Sequence, residues 1–204
     1  MSKKRNKSYI FKLAAILFAI CFISTLLLTL CNYITKDRIL QLKNQTATQA
    51  MQEVIPNAEF TDVNTEDFDQ ETKEMLEKNN FVEASKAEID GKFAGYTITV
   101  SPQGFGDKIN MIVGIKPDGQ SYYAIKIVSL AETPGLGAKA QEKDFYGQFS
   151  DGKKGLLKVV KNSSGPSENE INAISGATIT SEAVTLGANN AMEIVKILLE
   201  KEAA

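Results

Sequence analysis

The sequence predicts an α+β fold with one N-terminal transmembrane helix and a single extracytoplasmic domain, in which helices flank an antiparallel sheet. Three observations predict it. An uncharged apolar run near the N-terminus is long enough to span a bilayer. Three short blocks then alternate apolar and polar residues and are separated by turn residues, which is typical of antiparallel strands. A segment with helical apolar periodicity follows, so strands and helices are segregated along the chain.

The membrane helix is predicted for residues 13–35, where no charged residue occurs. At about 1.5 Å per residue this run covers a hydrocarbon core of about 30 Å. Five basic residues precede it in residues 1–12, which are predicted to be a cytoplasmic tail, so the rest of the chain is expected on the far side. A small-x-small cleavage site does not follow the run, which favours an anchor over a signal peptide. The predicted location is therefore the inner membrane, in contact with lipid.

Residues 36–92 are predicted to form a membrane-proximal segment that is helical and then acidic. Residues 36–53 have a helical pattern, and Pro56 is expected to end that helix. Residues 61–78 carry many carboxylates, which predict a solvated helix or loop. Their spacing lacks the regularity of a calcium-binding loop.

Residues 93–204 are predicted to form the main domain. A turn at residues 116–119, with Pro and Gly at positions that favour a turn, separates the second predicted strand from the third. Ser181 is the predicted N-cap of the last helix. The predicted elements are strands at 93–100, 109–115 and 122–130, a short helix at 138–149, a strand at 155–160 and a helix from about 182 to 201.

Composition excludes several classes of function. Beyond residue 12, 18 Lys and Arg face 25 Asp and Glu, so the body lacks the basic face of a nucleic-acid-binding protein. The absence of histidine excludes Ser-His and Cys-His catalytic pairs and histidine-ligated zinc or haem. Cys21 and Cys31 both lie in the apolar run, so the soluble part has neither a disulfide framework nor a cysteine-ligated cluster. Any redox chemistry therefore requires an organic cofactor.

The segment INAISGATITSEAV, residues 171–184, places small residues and hydroxyls directly before a helix. The first N–H groups of a helix lack internal partners and form a positive end that suits phosphate. Gly176 and Ala177 permit close approach to the backbone, and Thr178 and Thr180 add hydroxyls. An ordinary helix cap after a small-residue turn has the same composition, so the residues alone leave both interpretations open.

The segment ETPGLG, residues 132–137, is a second candidate. Pro134, Gly135 and Gly137 predict a rigid loop with exposed backbone, which could pack flat against a planar ligand with Leu136 as an apolar contact. A tight surface turn is the alternative, because Gly-x-Gly by itself is a weak signal.

The two motifs together resemble those of a known family. ETPGLG, then FYGQF at residues 145–149, then SGATITS, behind one membrane span, resemble the G subunit of the Rnf ion-translocating electron-transport complex. This family is similar to the C subunit of the sodium-pumping NADH:quinone oxidoreductase. The resemblance implies that residues 93–204 bind FMN, which a flavin transferase attaches as a phosphoester to Thr178. It also implies that the chain relays electrons between ferredoxin and NAD, in a complex with other subunits that moves Na⁺ or H⁺.

The resemblance assigns roles to particular residues. Thr178 is the anchor rather than the nucleophile of a turnover reaction, and the transferase removes the need for an activating histidine. Asn172 stands where the transferase target usually has an aspartate, which keeps an acceptor oxygen but loses the charge. The other implied site residues are Ser175, Gly176, Ala177 and Thr180 near the anchor, Thr133 and Leu136 as ring contacts, Gly135 and Gly137 for close approach, Glu132 as a loop-orienting group, and Lys139 near the flavin's polar edge or phosphate.

Other interpretations stay open at this point. The chain could be a C-type subunit of a sodium-pumping quinone reductase, or another membrane-anchored, extracytoplasmic flavin carrier, although its compact length favours the Rnf family. It could be a membrane-anchored binding protein without a cofactor. It could also be an enzyme in which a lysine activates Ser175 or Thr178.

Overall fold

The computed structural model describes residues 7–150, 152–161 and 167–202 of the 204-residue chain. The first six residues of the expected basic tail lie outside the described ranges. The chain divides into two compact units, of which the first ends at Gln45 and the second begins at Thr46.

Helix α1 runs over Lys7–Val54. It accounts for the described part of the first unit, and its last residues, from Thr46, belong to the second. Its segment Tyr9–Lys36 is long and apolar enough to cross a membrane, and an 18-residue window within it has a mean hydropathy of 2.6. The hydroxyls of Thr25 and Thr29 each donate to the carbonyl four residues earlier, at 2.8 Å. Such bonds satisfy polar groups within the helix, as an apolar surrounding requires. The prediction that Pro56 ends this helix is confirmed.

The second unit is built on a five-stranded antiparallel sheet with the strands in chain order. The predicted α+β class is confirmed, as are the three predicted strands and the turn in which Gly119 N–H donates to the Lys116 carbonyl at 3.0 Å. The strands are β1 (Glu59–Asp62), β2 (Phe81–Ile89), β3 (Lys92–Val100), β4 (Asn110–Ile115) and β5 (Tyr122–Ser129), with α2 (Gln70–Lys78) between β1 and β2. The sequence did not predict β2, which pairs along β3, so the sheet continues across the boundary expected at residue 93.

Both faces of the sheet are covered. Tyr96, Ile98 and Val100 of β3 are fully buried, and so is the intervening Thr97, which is 1% exposed. The last helix covers one face, and the C-terminal turns of α1 cover the other. The alternation that predicted β3 indicated a strand with one solvated face, but β3 is buried on both faces because helices lie on each side.

The chain after β5 is irregular before it becomes helical again. The helix predicted at 138–149 is broken into a 3₁₀ turn at Gly137–Gln141, a single turn of helix α3 at Lys143–Tyr146, and a second 3₁₀ turn at Gly147–Phe149. Two three-residue strands, β6 (Lys158–Val160) and β7 (Glu170–Asn172), form a separate parallel pair. The strand predicted at 155–160 is thus shorter than expected.

Two side-chain amides hold this small pair of strands. Gln148 accepts a hydrogen bond from Asn172 N–H at 2.8 Å and donates to the Asn172 carbonyl at 3.2 Å. Asn189 accepts from Leu157 N–H at 2.8 Å and donates to the Leu157 carbonyl at 2.9 Å. Each amide therefore makes the two backbone hydrogen bonds that a neighbouring strand would make in a wider sheet.

The last helix, α4, runs over Thr178–Glu202 and begins four residues earlier than predicted. Ser181 is not its N-cap. Ser181 N–H donates to the Ala177 carbonyl at 3.1 Å, which makes Ala177 the capping position. The Ser181 hydroxyl is buried, where it accepts from Ile174 N–H at 2.9 Å and donates to the Ala177 carbonyl at 3.0 Å. Ser181 thus fastens the incoming chain to the helix, and Thr178 becomes the first helical residue.

Candidate cofactor site

A cavity of about 390 Å³ lies where the two motifs meet. The loop between β3 and β4, the loop after β5 and the start of α4 supply its walls. The lining residues are Phe105, Glu132, Thr133, Leu136, Gly137, Gly176, Ala177, Thr178, Ile179 and Thr180. Folding therefore brings together the two segments that the sequence singled out.

The loop after β5 is a tight turn that presents its side chains to the cavity. Leu136 N–H donates to the Thr133 carbonyl at 3.1 Å, with Pro134 and Gly135 at the two central positions. Gly135 has a φ of +77°, the conformation that a type II turn requires at its third position. A Cβ on Gly135 would meet nothing within 4 Å, so this glycine serves the turn, and it does not line the cavity.

Glu132 connects all three walls of the cavity. It is 9% exposed, and its Oε1 accepts from Phe105 N–H at 2.8 Å and from Gly106 N–H at 3.2 Å. Its Oε2 accepts from the Thr180 hydroxyl at 3.0 Å. One carboxylate thereby fixes the β3–β4 loop, the loop that it belongs to and the first turn of α4.

The threonines at the start of α4 differ in access. Thr178 is partly exposed and lines both the main cavity and an adjoining cleft of about 210 Å³. Within the described ranges, no hydrogen bond engages its hydroxyl. Thr180 is 1% exposed, and its hydroxyl is held by Glu132. Of these two hydroxyls, only that of Thr178 is both accessible and available.

Gly176 shapes the turn that leads into α4. Its φ is +77°, and a Cβ there would approach Leu136 Cδ2 to 3.1 Å. A glycine is therefore needed both for the backbone conformation and for the close contact between the two motifs.

Three of the predicted site residues lie outside the main cavity. Gly135 is one of them. Ser175 is exposed and lines two adjoining clefts, of about 230 and 210 Å³. Lys139 lines the first of these clefts with Ser175 and Asn172, and so faces the segment before Thr178 rather than the cavity itself.

Sequence reasoning missed three residues at the site. Phe105 is 67% exposed and Ile179 is 53% exposed, and both add apolar surface to the cavity wall. Lys161 lines the 210 Å³ cleft beside Ser175 and Thr178 and brings a cation to that side. The signal for Phe105 was an aromatic residue between two glycines in a loop, where it has no role in the core.

An ionised glutamate lies close in sequence to the Thr178 segment. A hydrogen bond from Ser167 N–H, with further help from Lys158, lowers the pKa of Glu170 to about 2. The Lys158 ammonium lies 3.0 Å from Glu170 Oε1, so the pair connects β6 and β7 at the strand that precedes Thr178. The carboxylate stays charged at neutral pH and helps to fix this approach to the site.

The chemistry of the walls can be stated from these residues. Phe105, Leu136 and Ile179 offer apolar surface for a planar group. The start of α4 offers first-turn N–H groups, the positive end of a helix dipole and one accessible hydroxyl, which together suit a phosphate. FMN combines a planar ring system with a terminal phosphate, so the residues fit it, and the volume lies in the usual range of about 300–1,000 Å³ for ligand sites.

Comparison with known proteins places the domain in a class. Residues 104–193 match the model of the FMN-binding domain family, and this stretch contains every wall of the cavity. The fold is shared with the C subunit of the Na⁺-translocating NADH-quinone reductase from Parabacteroides distasonis, with a TM-score of 0.54, 22% identity, and coverage of 79% of this chain and 96% of that one. It is also shared with NqrC from Shewanella oneidensis, with a TM-score of 0.53, 18% identity, and coverage of 60% and 61%. The second unit thus contains an FMN-binding domain.

Full-length relatives then define the family. The G subunit of the Na⁺-translocating ferredoxin:NAD⁺ oxidoreductase complex from Acetobacterium woodii is 37% identical over 196 residues, which cover 93% of each chain. The G subunit of the proton-translocating complex from Clostridium ljungdahlii is 35% identical over 196 residues, or 96% of each chain. The chain belongs to the family of G subunits of ion-translocating ferredoxin:NAD⁺ oxidoreductase complexes. The family resemblance stated from the motifs is confirmed.

Proposed function

We propose that this chain is the flavoprotein subunit of a membrane-bound, ion-translocating electron-transport complex of the ferredoxin:NAD⁺ oxidoreductase type. The relatives that match over nearly the full chain are named as G subunits of ion-translocating ferredoxin:NAD⁺ oxidoreductase complexes, and residues 104–193 match the FMN-binding domain family. The observation that carries the proposal is the cavity in which the ETPGLG loop and the start of α4 meet within the FMN-binding domain. When bound, FMN supplies electron transfer, and the protein positions the ring and adjusts its potential.

The attachment point in this proposal is the Thr178 hydroxyl, joined to the FMN phosphate as a phosphoester. Its partial exposure, its position as the first residue of α4 and its place in two adjoining cavities support the choice. The backbone of Gly176 and Ala177 lines the main cavity with Thr178, and Ser175 and Lys161 line the 210 Å³ cleft that Thr178 also borders. Lys139 lines the neighbouring cleft, which it shares with Ser175. The two lysines and the first-turn N–H groups would balance the phosphate charge.

The rest of the site would hold the ring. Thr133 and Leu136 face the cavity from the loop after β5, opposite Ile179 of α4, and Phe105 adds a third apolar wall. Gly137 has no side chain, which lets its backbone pack directly against the Glu132 carboxylate and the Thr180 hydroxyl. Together these groups would exclude water from one side of the ring and fix its orientation.

The proposed location follows from the apolar helix and the charges before it. The chain would be a single-pass protein of the inner membrane, with a cytoplasmic tail at 1–12, a span at 13–35, a membrane-proximal segment at 36–92 and the FMN-carrying part at 93–204 outside the cytoplasm. Its partners would be the other subunits of the complex, the surrounding lipid and, during maturation, a flavin transferase. Nucleic acid is not among them.

The test is the fate of the flavin in Thr178→Ala. Full-length chain co-expressed with a flavin transferase should gain the mass of one phosphoester-linked FMN and should fluoresce under ultraviolet light after denaturation. Thr178→Ala should lose both signals and keep its thermal unfolding temperature, because the side chain fills no core volume. Ser175→Ala is the matched control, since it removes a neighbouring exposed hydroxyl and should retain most of the adduct.

Two outcomes would contradict parts of the proposal. Release of all flavin from the wild-type chain on denaturation would exclude a covalent bond. An adduct that persists in Thr178→Ala and maps by peptide mass to Thr180 would move the site and leave the flavin assignment intact.

A further inference from the structure

We propose that the negative charge of Glu132 lowers the reduction potential of the flavin bound in this cavity. Glu132 would then have two roles, because it also holds two loops and the start of α4 together through its hydrogen bonds. The inference rests on the proposed function. It begins from the position of the carboxylate, which lines the cavity itself and is 9% exposed.

The carboxylate is fixed in one place. Its three hydrogen bonds, from Phe105 N–H, Gly106 N–H and the Thr180 hydroxyl, come from two different walls. A Cβ on Gly104 would lie 2.4 Å from Oε1, and a Cβ on Gly137 would lie 2.5 Å from Oε2. The two loops therefore pack their bare backbone against both carboxylate oxygens, which leaves the group little freedom to turn away from the cavity.

The charge of this carboxylate is not cancelled by an adjacent cation. Its three donors are two backbone amides and one hydroxyl, all neutral. Among the described residues no ion pair includes Glu132, and Lys139 lines the neighbouring cleft rather than the cavity. Because the carboxylate lines the cavity itself, its charge acts on a bound group across a distance of only a few ångströms.

Holding the loops does not require a charge. A glutamine of the same length could accept from both amides through its oxygen and donate to the Thr180 hydroxyl through its nitrogen. A buried charge without an opposite partner costs stability, whereas a neutral isostere with the same hydrogen bonds avoids that cost. The feature that glutamate adds is therefore the field it places in the cavity.

The sign of the effect follows from electrostatics alone. An electron taken up without a proton adds one negative charge to the bound group, and a fixed negative charge nearby opposes that uptake whichever ring edge faces it. Removal of the charge should make electron uptake easier by about tenfold in the equilibrium constant for a one-electron step, which corresponds to a rise of about 59 mV.

The experiment is a spectroelectrochemical titration of the FMN-loaded full chain in detergent. Glu132→Gln should raise the flavin potential, while Glu132→Asp, which keeps the charge, should stay closer to the wild type. Thr180→Val is the matched structural control, because it breaks the hydrogen bond to Glu132 and keeps both the charge and the side-chain shape. Thermal unfolding of each variant shows that the comparison is made on folded protein.

An unchanged flavin potential in folded, FMN-loaded Glu132→Gln would overturn the proposal. A rise in Thr180→Val as large as the rise in Glu132→Gln would also overturn it, because the effect would then come from loosened loops. If Glu132→Gln does not fold, Phe105→Lys is compared with Phe105→Gln. The added ammonium should partly offset the field of Glu132, and equal potentials in this pair would also overturn the proposal. A wild-type chain that carries no flavin would instead refute the proposed function, so the two failures are distinguishable.

Discussion

At the scale of single residues, the site depends on which of several similar side chains are accessible. Thr178, Thr180 and Ser181 lie within four positions, yet of the three only Thr178 is partly exposed. Thr180 is committed to Glu132, and Ser181 to Ile174 and Ala177. The sequence alone could not separate them, because the difference depends on where α4 begins and on a contact with a glutamate 48 residues away.

Gly137 gives a residue-scale prediction. In Gly137→Ala the new methyl would lie 2.5 Å from Glu132 Oε2 and 2.6 Å from Thr180 Oγ1, so the bond between them must open. We expect a loss of about 1–3 kcal/mol in the free energy of unfolding, typical of overpacking. Chemical denaturation of the full chain in detergent would measure this loss.

Gly147→Ala is the matched control for that variant. A Cβ at Gly147 meets only Lys143 Cγ, at 3.8 Å, and its φ of −63° suits any residue. This variant should be neutral or slightly stabilising. Equal destabilisation of the two variants would contradict the close contact described around Glu132.

At the scale of elements, the parts that sequence predicted well are those with a local signal. The alternating strands β3, β4 and β5 and the turn at Lys116 were found in place. β2 was missed because it carries Glu83, Lys86 and Glu88 and follows an acidic segment, so its apolar alternation is weak. Its position is decided by pairing with β3 on one side and β1 on the other, which no local pattern records.

The start of α4 was misplaced for a related reason. A serine before a helical run usually caps its own helix, and the sequence offered Ser181 for that role. The structure uses Ser181 to bind Ile174 N–H instead, which extends the helix back to Thr178. The meeting of the two motifs in one cavity was expected from the family resemblance, whereas the part played by Phe105 needed the fold.

The two hydrogen bonds between the Gln148 side-chain amide and the backbone of Asn172 in β7, here called the amide clamp, give an element-scale prediction. Gln148→Ala removes both hydrogen bonds to the backbone of Asn172. We expect a loss of about 1–3 kcal/mol in the free energy of unfolding and faster hydrogen exchange at Asn172 N–H, three residues before Ser175. Amide exchange followed by mass spectrometry would localise the effect.

Gln148→Glu separates the two bonds of the clamp. Glutamate keeps an acceptor for Asn172 N–H and loses the donor to its carbonyl, so exchange at that amide should stay slower than in Gln148→Ala. Exchange at Asn172 N–H that is as slow in Gln148→Ala as in the wild type would show that Gln148 does not hold this strand.

At the scale of the whole molecule, the chain combines a bare apolar helix with a domain whose sheet is covered on both faces. The segment Tyr9–Lys36 buries no side chain within the protein, whereas the second unit has a hydrophobic cluster on each face of its sheet. Five bases precede the apolar run. This cluster of Lys and Arg before the span is the physical basis for the proposed orientation.

Protease accessibility tests that orientation. Protease added to intact spheroplasts should trim the chain beyond the span, because the positive-inside rule places the flavin-carrying part outside the cytoplasm. A cytoplasmic marker protein should stay intact in the same sample. Full protection of the chain until the cells are lysed would reverse the topology.

The packing of glycine backbone around Glu132 also has a consequence for which substitutions this protein can tolerate. A Cβ at Gly104 or Gly137 would lie less than 3 Å from a carboxylate oxygen of Glu132, so neither glycine can be replaced unless the carboxylate moves. A shorter acid at position 132 would withdraw the contacts to the β3–β4 loop, and it would not make room at either glycine. A Cβ at Gly104 would still lie 2.8 Å from the Asp107 carbonyl oxygen, and a Cβ at Gly137 would still lie 2.6 Å from Thr180 Oγ1. A substitution at any one of the three positions is therefore expected to disturb the contacts of the other two.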